Sequence, residues 1–160
     1  MATGGLTRFG RRHSLANGAP TAILLIRLSV GCIFLVEGIQ KFLFPDLLGV
    51  GRFLKIGIPA PEVMAPFVGG VEIVCGILVL VGFFTRLAVI PLIVDMLVAI
   101  ATTKIPILLE KGFWAMTHEA RTDWAMLLGS LFLLAVGAGR WSLDGRSFRD
   151  VDRGLPGIKD

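Results

Sequence analysis

Long apolar runs, each interrupted by very few charges, constrain this chain more than any other feature of its sequence. Four of them approach the length that crosses a ~30 Å hydrocarbon layer, over about residues 21–42, 63–84, 87–109 and 124–139. Composition points the same way: 54% of residues are hydrophobic, 18% are charged, and mean hydropathy is +0.79. Ordinary globular chains carry about 25% charged residues. The predicted fold class is therefore all-α, a polytopic membrane four-helix bundle. Between the first two spans, Leu47, Leu48, Val50, Phe53 and Leu54 can rest on the membrane while Arg52 and Lys55 face water. That pattern predicts a short interfacial helix over 47–56, with Asp46 as its cap.

The chain divides into a basic arm (1–20), a transmembrane domain (21–145) and a basic tail (146–160). The apolar region from Thr21 outruns a signal peptide and lacks a small-x-small cleavage site, so it is kept as a mature helix. Gly57 and Pro59-Ala60-Pro61 make the turn before the second span, with Pro61 suited to a first helical position. Gly82 can close that span and Thr85 can cap the next. A longer loop of mixed charge is expected from about Glu110 to Asp123, carrying Trp114, His118, Glu119 and Arg121.

Orientation follows from Lys and Arg. With the amino terminus inside, Arg8, Arg11, Arg12, Arg86, Arg140, Arg146, Arg149, Arg153 and Lys159 lie on the inner side. Lys41, Arg52, Lys55, Lys104, Lys111 and Arg121 lie outside, six against nine. The expectation is a multi-pass protein of the bacterial inner (plasma) membrane with both termini cytoplasmic. These basic residues are topology signals without interleaved aromatics, so nucleic acid is not an expected partner. Cys32 and Cys75 sit in separate apolar runs with no CxxC pair, which argues against a disulfide redox centre. His13 and His118 fall outside the spans, which argues against a haem or other metal site.

Function must then be read from charges placed in oil. An ionised side chain at mid-bilayer costs roughly 2.5–3.5 kcal/mol, so it persists where it pairs, lines a wet cavity or works. Counted along antiparallel helices at ~1.5 Å per residue, Arg27, Asp95 and Glu72 come to similar depths, about 10, 12 and 15 Å from the inner edge. One cation and two carboxyls at one depth would leave one carboxyl holding a proton. Gly69 and Gly76 flank Glu72 at helical spacing, and Ala99 and Thr102 flank Asp95. Small residues of this kind either let helices close in or leave a slot for a flat ligand. Glu37, Gln40 and Lys41 with Lys104 form a second polar group near the outer interface. There Glu37 can pair with Lys41 on one face, and the lysines can snorkel to headgroups.

Several short stretches together resemble the DoxX family of small bacterial four-helix membrane proteins. They are Arg27-Leu28-Ser29-Val30-Gly31 through Glu37-Gly38-Ile39-Gln40-Lys41-Phe42, Gly57-Ile58-Pro59-Ala60-Pro61, Gly70-Val71-Glu72, Gly82-Phe83-Phe84-Thr85-Arg86, and Gly137-Ala138-Gly139-Arg140-Trp141-Ser142-Leu143-Asp144. The resemblance covers about residues 22–145 in order and marks Arg27, Gly38, Lys41, Glu72 and Arg86 as recurrent positions. It implies membership in a family named for a subunit of a quinol oxidase and thiosulfate:quinone oxidoreductase system, and it transfers no agreed catalytic set.

The reading favoured by residues and resemblance is a quinone-linked membrane subunit of an oxidoreductase complex, with a titratable polar centre and a quinone as its ligand. Such a chain is enzyme-associated, a noncatalytic or quinone-binding subunit, and nothing in its sequence shows that it is catalytic by itself. Its expected partners are membrane lipid, a protein of the redox complex and a second copy of the chain. Two other readings stay open: a small proton-coupled transporter, in which Pro91 and Pro106 allow the third span to bend, and a noncatalytic anchor for a redox enzyme.

Overall fold

In a computed structural model that describes residues 12–139 and 141–144, the chain is helical throughout. The arm expected over 1–20 falls partly and the tail over 146–160 wholly outside the described residues, as does Arg140. The helices are α1 (Arg12–Leu43), α2 (Val50–Lys55), α3 (Pro61–Val81), α4 (Thr85–Ala99), α5 (Ile105–Lys111) and α6 (Phe113–Val136), with a π-helical turn, Ile100–Lys104, joining α4 to α5. Three segments are long and apolar enough to cross a membrane: Ala22–Leu43, Pro61–Val81 and Thr85–Lys111. The fourth long helix, α6, lies beside α4. It runs through most of the loop expected over 110–123, so its first half carries Glu119, Arg121 and Asp123 ahead of the apolar run from Trp124. The interfacial segment is present as α2 but is shorter than expected, and Gly49, not Asp46, stands at its amino end.

Local sequence accounts for most boundaries. Pro61 occupies the first turn of α3, and Gly82 ends it at φ 67°. Phe84 then turns at φ 47°, a region that costs a side chain energy, so something must hold it. The expected cap, Thr85, does not do so. Asp144 reaches in from beyond α6 instead, accepting hydrogen bonds from the backbone N–H of Phe84 (2.9 Å) and Thr85 (3.1 Å). Its own N–H donates to the Gly82 carbonyl (3.0 Å), which staples the chain after α6 to the α3–α4 turn.

The π turn has a local cause. Pro106 lacks an N–H and its ring would strike the Thr102 carbonyl in a regular helix. The backbone widens instead, and the Ile105 N–H donates to Ile100. Thr102 and Thr103 turn their hydroxyls onto the Val98 and Ala99 carbonyls (2.8 and 2.5 Å). Thr102 thus serves the backbone of its own helix.

The tightest packing joins α1 to α3. A Cβ added at Gly38 would stand 2.7 Å from the Gly69 carbonyl oxygen, and one at Gly76 would stand 2.9 Å from the Leu35 nitrogen and 3.0 Å from the Gly31 carbonyl oxygen. Gly69 and Gly76 therefore serve close helix approach, and α1 fills the slot they could have left for a ligand. Beyond this seam, Val30, Phe34, Val79, Val89, Leu92 and Leu133 form a closely packed core. Much of the outer surface is apolar, as a helix facing acyl chains requires.

Gly38→Leu and Gly76→Leu should each destabilise the bundle by about 1–3 kcal/mol through overpacking. Gly70→Leu, where an added Cβ meets nothing within 4 Å, should be nearly neutral. Thermal unfolding in detergent checks the contrast.

Candidate functional site

The antiparallel seam sets which side chains meet. Gly38 lies against Gly69, Glu72 and Ile73, and Gly31 against Gly76 and Leu80. Lys41 Cβ lies 3.4 Å from where a Cβ at Gly69 would stand, about one turn along α3 from Glu72, and its four-carbon stem covers that distance. Its ammonium donates to both Glu72 carboxylate oxygens, Oε1 at 2.8 Å and Oε2 at 2.6 Å. Glu72 is 2% exposed, near the middle of its 21-residue helix. Lys41 accordingly turns inward to Glu72 and does not pair with Glu37, which is exposed. Gln40 is half-buried beside it.

Asp95, from α4, brings a second carboxyl against that of Glu72. Its Oδ2 is buried and receives no hydrogen bond from the described residues. Two carboxyls that face each other have acceptors on both sides and can hold one proton between them. Lys41 supplies the cation. A buried ion pair joined to an unsatisfied acceptor is a costly arrangement for a structural clip alone.

The outer polar group divides. Lys104, 8% exposed, does not snorkel to the surface. The π turn aims it inward, where its ammonium meets the Asp123 carboxylate of α6 at 3.1 Å. Asp123 was not expected as a site residue, because it fell in a stretch read as loop. The available signal was that Asp123 directly precedes an apolar run, where a helix already under way would bury it. Asp123 also stands near enough to Asp95 for their charges to interact.

Arg27 does not join this group. It is 1% exposed, and its guanidinium donates to four carbonyls at the other end of the bundle: Val79 (3.0 Å), Leu80 (2.6 Å), Ala138 (3.1 Å) and Trp141 (2.6 Å). The depth count failed because α3 ends level with Arg27. Leu80 lies eight residues from Glu72, about 12 Å along the helix. Arg27 therefore clamps the carbonyls left open at the end of α3 and after α6, the groups a helix terminus leaves unpaired. Arg86 acts nearby in the same way, donating to the Ala135 carbonyl at 3.0 Å.

A family model named DoxX matches residues 22–105, which include Lys41, Glu72, Asp95 and Lys104. An uncharacterised membrane protein of Mycobacterium tuberculosis is 56% identical over 133 residues, 79% of this chain and 82% of the relative. CatD of Bacillus subtilis, named provisionally as an oxidoreductase, is 31% identical over 82% of this chain and 90% of its own length. The inner membrane protein YphA of Escherichia coli is 30% identical over 79% of this chain and 91% of its own. No solved structure matches.

Removing one partner of a buried pair strands the other. Lys41→Met should therefore cost about 3–5 kcal/mol, and the double variant Lys41→Met with Glu72→Met should recover most of that loss. Chemical or thermal unfolding in detergent reads the difference.

Proposed function

The chain belongs to the DoxX family of membrane proteins, and on that premise we propose that it is a quinone-linked membrane subunit of an oxidoreductase complex, with Lys41, Glu72 and Asp95 as its proton-exchanging centre. The observation that carries this reading is the pair of facing carboxyls beside a lysine at mid-span, one of them with an acceptor that no donor of the described residues fills. A quinol gives up two electrons and two protons when oxidised, so a site serving it needs a group that can take a proton in oil. Asp95 and Glu72 can pass one between them. The Lys41 ammonium, held at 2.6 Å from Glu72, offsets the charge left when that proton departs. The unfilled Asp95 oxygen suits a ring hydroxyl, which is a donor. Electrons pass to a partner redox protein, in keeping with the name that the Bacillus subtilis relative carries.

In this reading the chain sits in the bacterial plasma membrane with both termini in the cytoplasm, as its lysine and arginine distribution favours. The name of the Escherichia coli relative supports the inner membrane. The π turn between Asp95 and Lys104 favours a second reading, a proton-coupled transporter, because such turns mark places where a helix rearranges. Flux of a solute into proteoliposomes driven by a pH gradient would select it.

The test uses purified protein in nanodiscs loaded with decyl-ubiquinone or a menaquinone. Wild type should retain quinone through repurification at a stoichiometric level, with Glu72→Gln weakening retention about tenfold. No retained quinone in the wild type, or equal retention in both, overturns the reading.

A further inference from the structure

The two ends of the bundle are built differently. Toward the end where α3 passes into α4, the polar centre is followed by Val79, Val89, Leu92 and Leu133, each 0% exposed, and then by the Arg27 clamp. Toward the opposite end, which carries α2 and the start of α6, the centre is followed by a charged pair, Asp123 with Lys104, and Asp123 is near enough to Asp95 for their charges to interact.

Five elements around this side contribute charged groups to it, while α2 carries Arg52 and Lys55, both exposed. Lys41 comes from α1, Glu72 from α3, Asp95 from α4, Lys104 from the π turn and Asp123 from α6. Glu110 and Lys111 of α5 and Glu119 and Arg121 of α6 are exposed beyond them. Asp123 is partly exposed, its side chain at 19% against 9% for Lys104. It is therefore the carboxylate that stands between the buried centre and the surface.

Asp123 and Lys104 also differ in what the structure asks of them. Lys104 could have reached the headgroups from near the end of its span, as lysines in such positions do. The widened backbone before Pro106 turns it inward instead. A cation so placed holds Asp123 as an acceptor within range of the Asp95 charge. Its own release from Asp123 would free that acceptor to take a proton.

We propose that Asp123 is a proton-relay residue, positioned by Lys104, and that protons reach Glu72 and Asp95 through it from the α2 end alone. This rests on the reading of Lys41, Glu72 and Asp95 as a proton-exchanging centre, but not on quinone being the ligand. The proton passes from surface water to an Asp123 carboxylate oxygen as Lys104 lets go, then to Asp95, and the Lys104–Asp123 pair re-forms. No electron or other reactant is consumed.

Two buried hydroxyls toward the clamped end supply the rival route. Thr85 Oγ1 and Ser130 Oγ also lack hydrogen-bond partners among the described residues. A path through them would open the centre to the other face.

Infrared spectroscopy of the full chain in nanodiscs without quinone separates the routes. A carboxylic C=O band that Glu72→Gln or Asp95→Asn removes reports the centre, and its shift in deuterated buffer reports proton access. Asp123→Asn should slow that shift at least tenfold, Asp123→Glu should restore it, and Ser130→Ala should leave it unchanged. The charge-neutral double variant Asp123→Asn with Lys104→Gln guards against a folding loss from a stranded lysine, and it too should exchange slowly. Unaltered exchange in both Asp123 variants, slowing by Ser130→Ala, or no band that the Glu72 or Asp95 variants remove would each overturn the proposal. Loss of quinone retention with exchange behaving as stated would overturn only the ligand assignment.

Discussion

The approach of α1 to α3 at Gly31, Gly38, Gly69 and Gly76 fixes nearly everything else of interest. Side chains of any size at these positions would hold the backbones apart and free the register. With the backbones in contact, one register places Arg27 against the last carbonyls of α3 and Lys41 within reach of Glu72. The same four glycines thus set a structural clamp at one end and an ion pair at mid-span. Hydrocarbon raises the stakes of that register, because a slipped helix would leave either an arginine or a carboxylate unpaired where water cannot compensate.

The helices were legible because oil demands long apolar runs and leaves few ways to disguise them. The ends of α3, marked by Pro61 and Gly82, followed from backbone chemistry alone. What sequence could not supply was side-chain direction. Measured from the edge of its own span, Arg27 comes to the depth of Glu72, but α3 stops level with Arg27, and a long guanidinium then reaches the terminus. Pattern alone leaves Lys41 and Lys104 free to snorkel, because nothing in a linear sequence says that either lysine points inward. The π turn that redirects Lys104 arises from Pro106 meeting the preceding turn, a clash that shows only once the helix is built.

The same limit explains Asp123 and Asp144. Both lie where composition changes, and both work across long sequence separations. Asp144 caps α4 from the far side of α6, so the residue that looked like the local cap, Thr85, is left with its hydroxyl unpaired. Asp123 meets Lys104 only because α6 starts at Phe113 and brings ten residues of helix before it. A reading that begins the fourth span at Trp124 leaves Asp123 in a loop and never asks what it faces.

Lys41, Glu72, Asp95, Lys104 and Asp123 contribute two cations and three carboxyls to one side of the bundle. If every group were ionised, one negative charge would remain in a medium that tolerates it poorly. One small ion between the facing carboxyls of Glu72 and Asp95 would remove that excess, and a proton is the ion two carboxyl oxygens hold best. Clamping by Arg27 and the dry layer beside it then acquires a purpose beyond stability. A centre that exchanges protons must be closed on one side if its traffic is to have a direction, and the four carbonyls bound by Arg27 close that side with backbone, which cannot titrate.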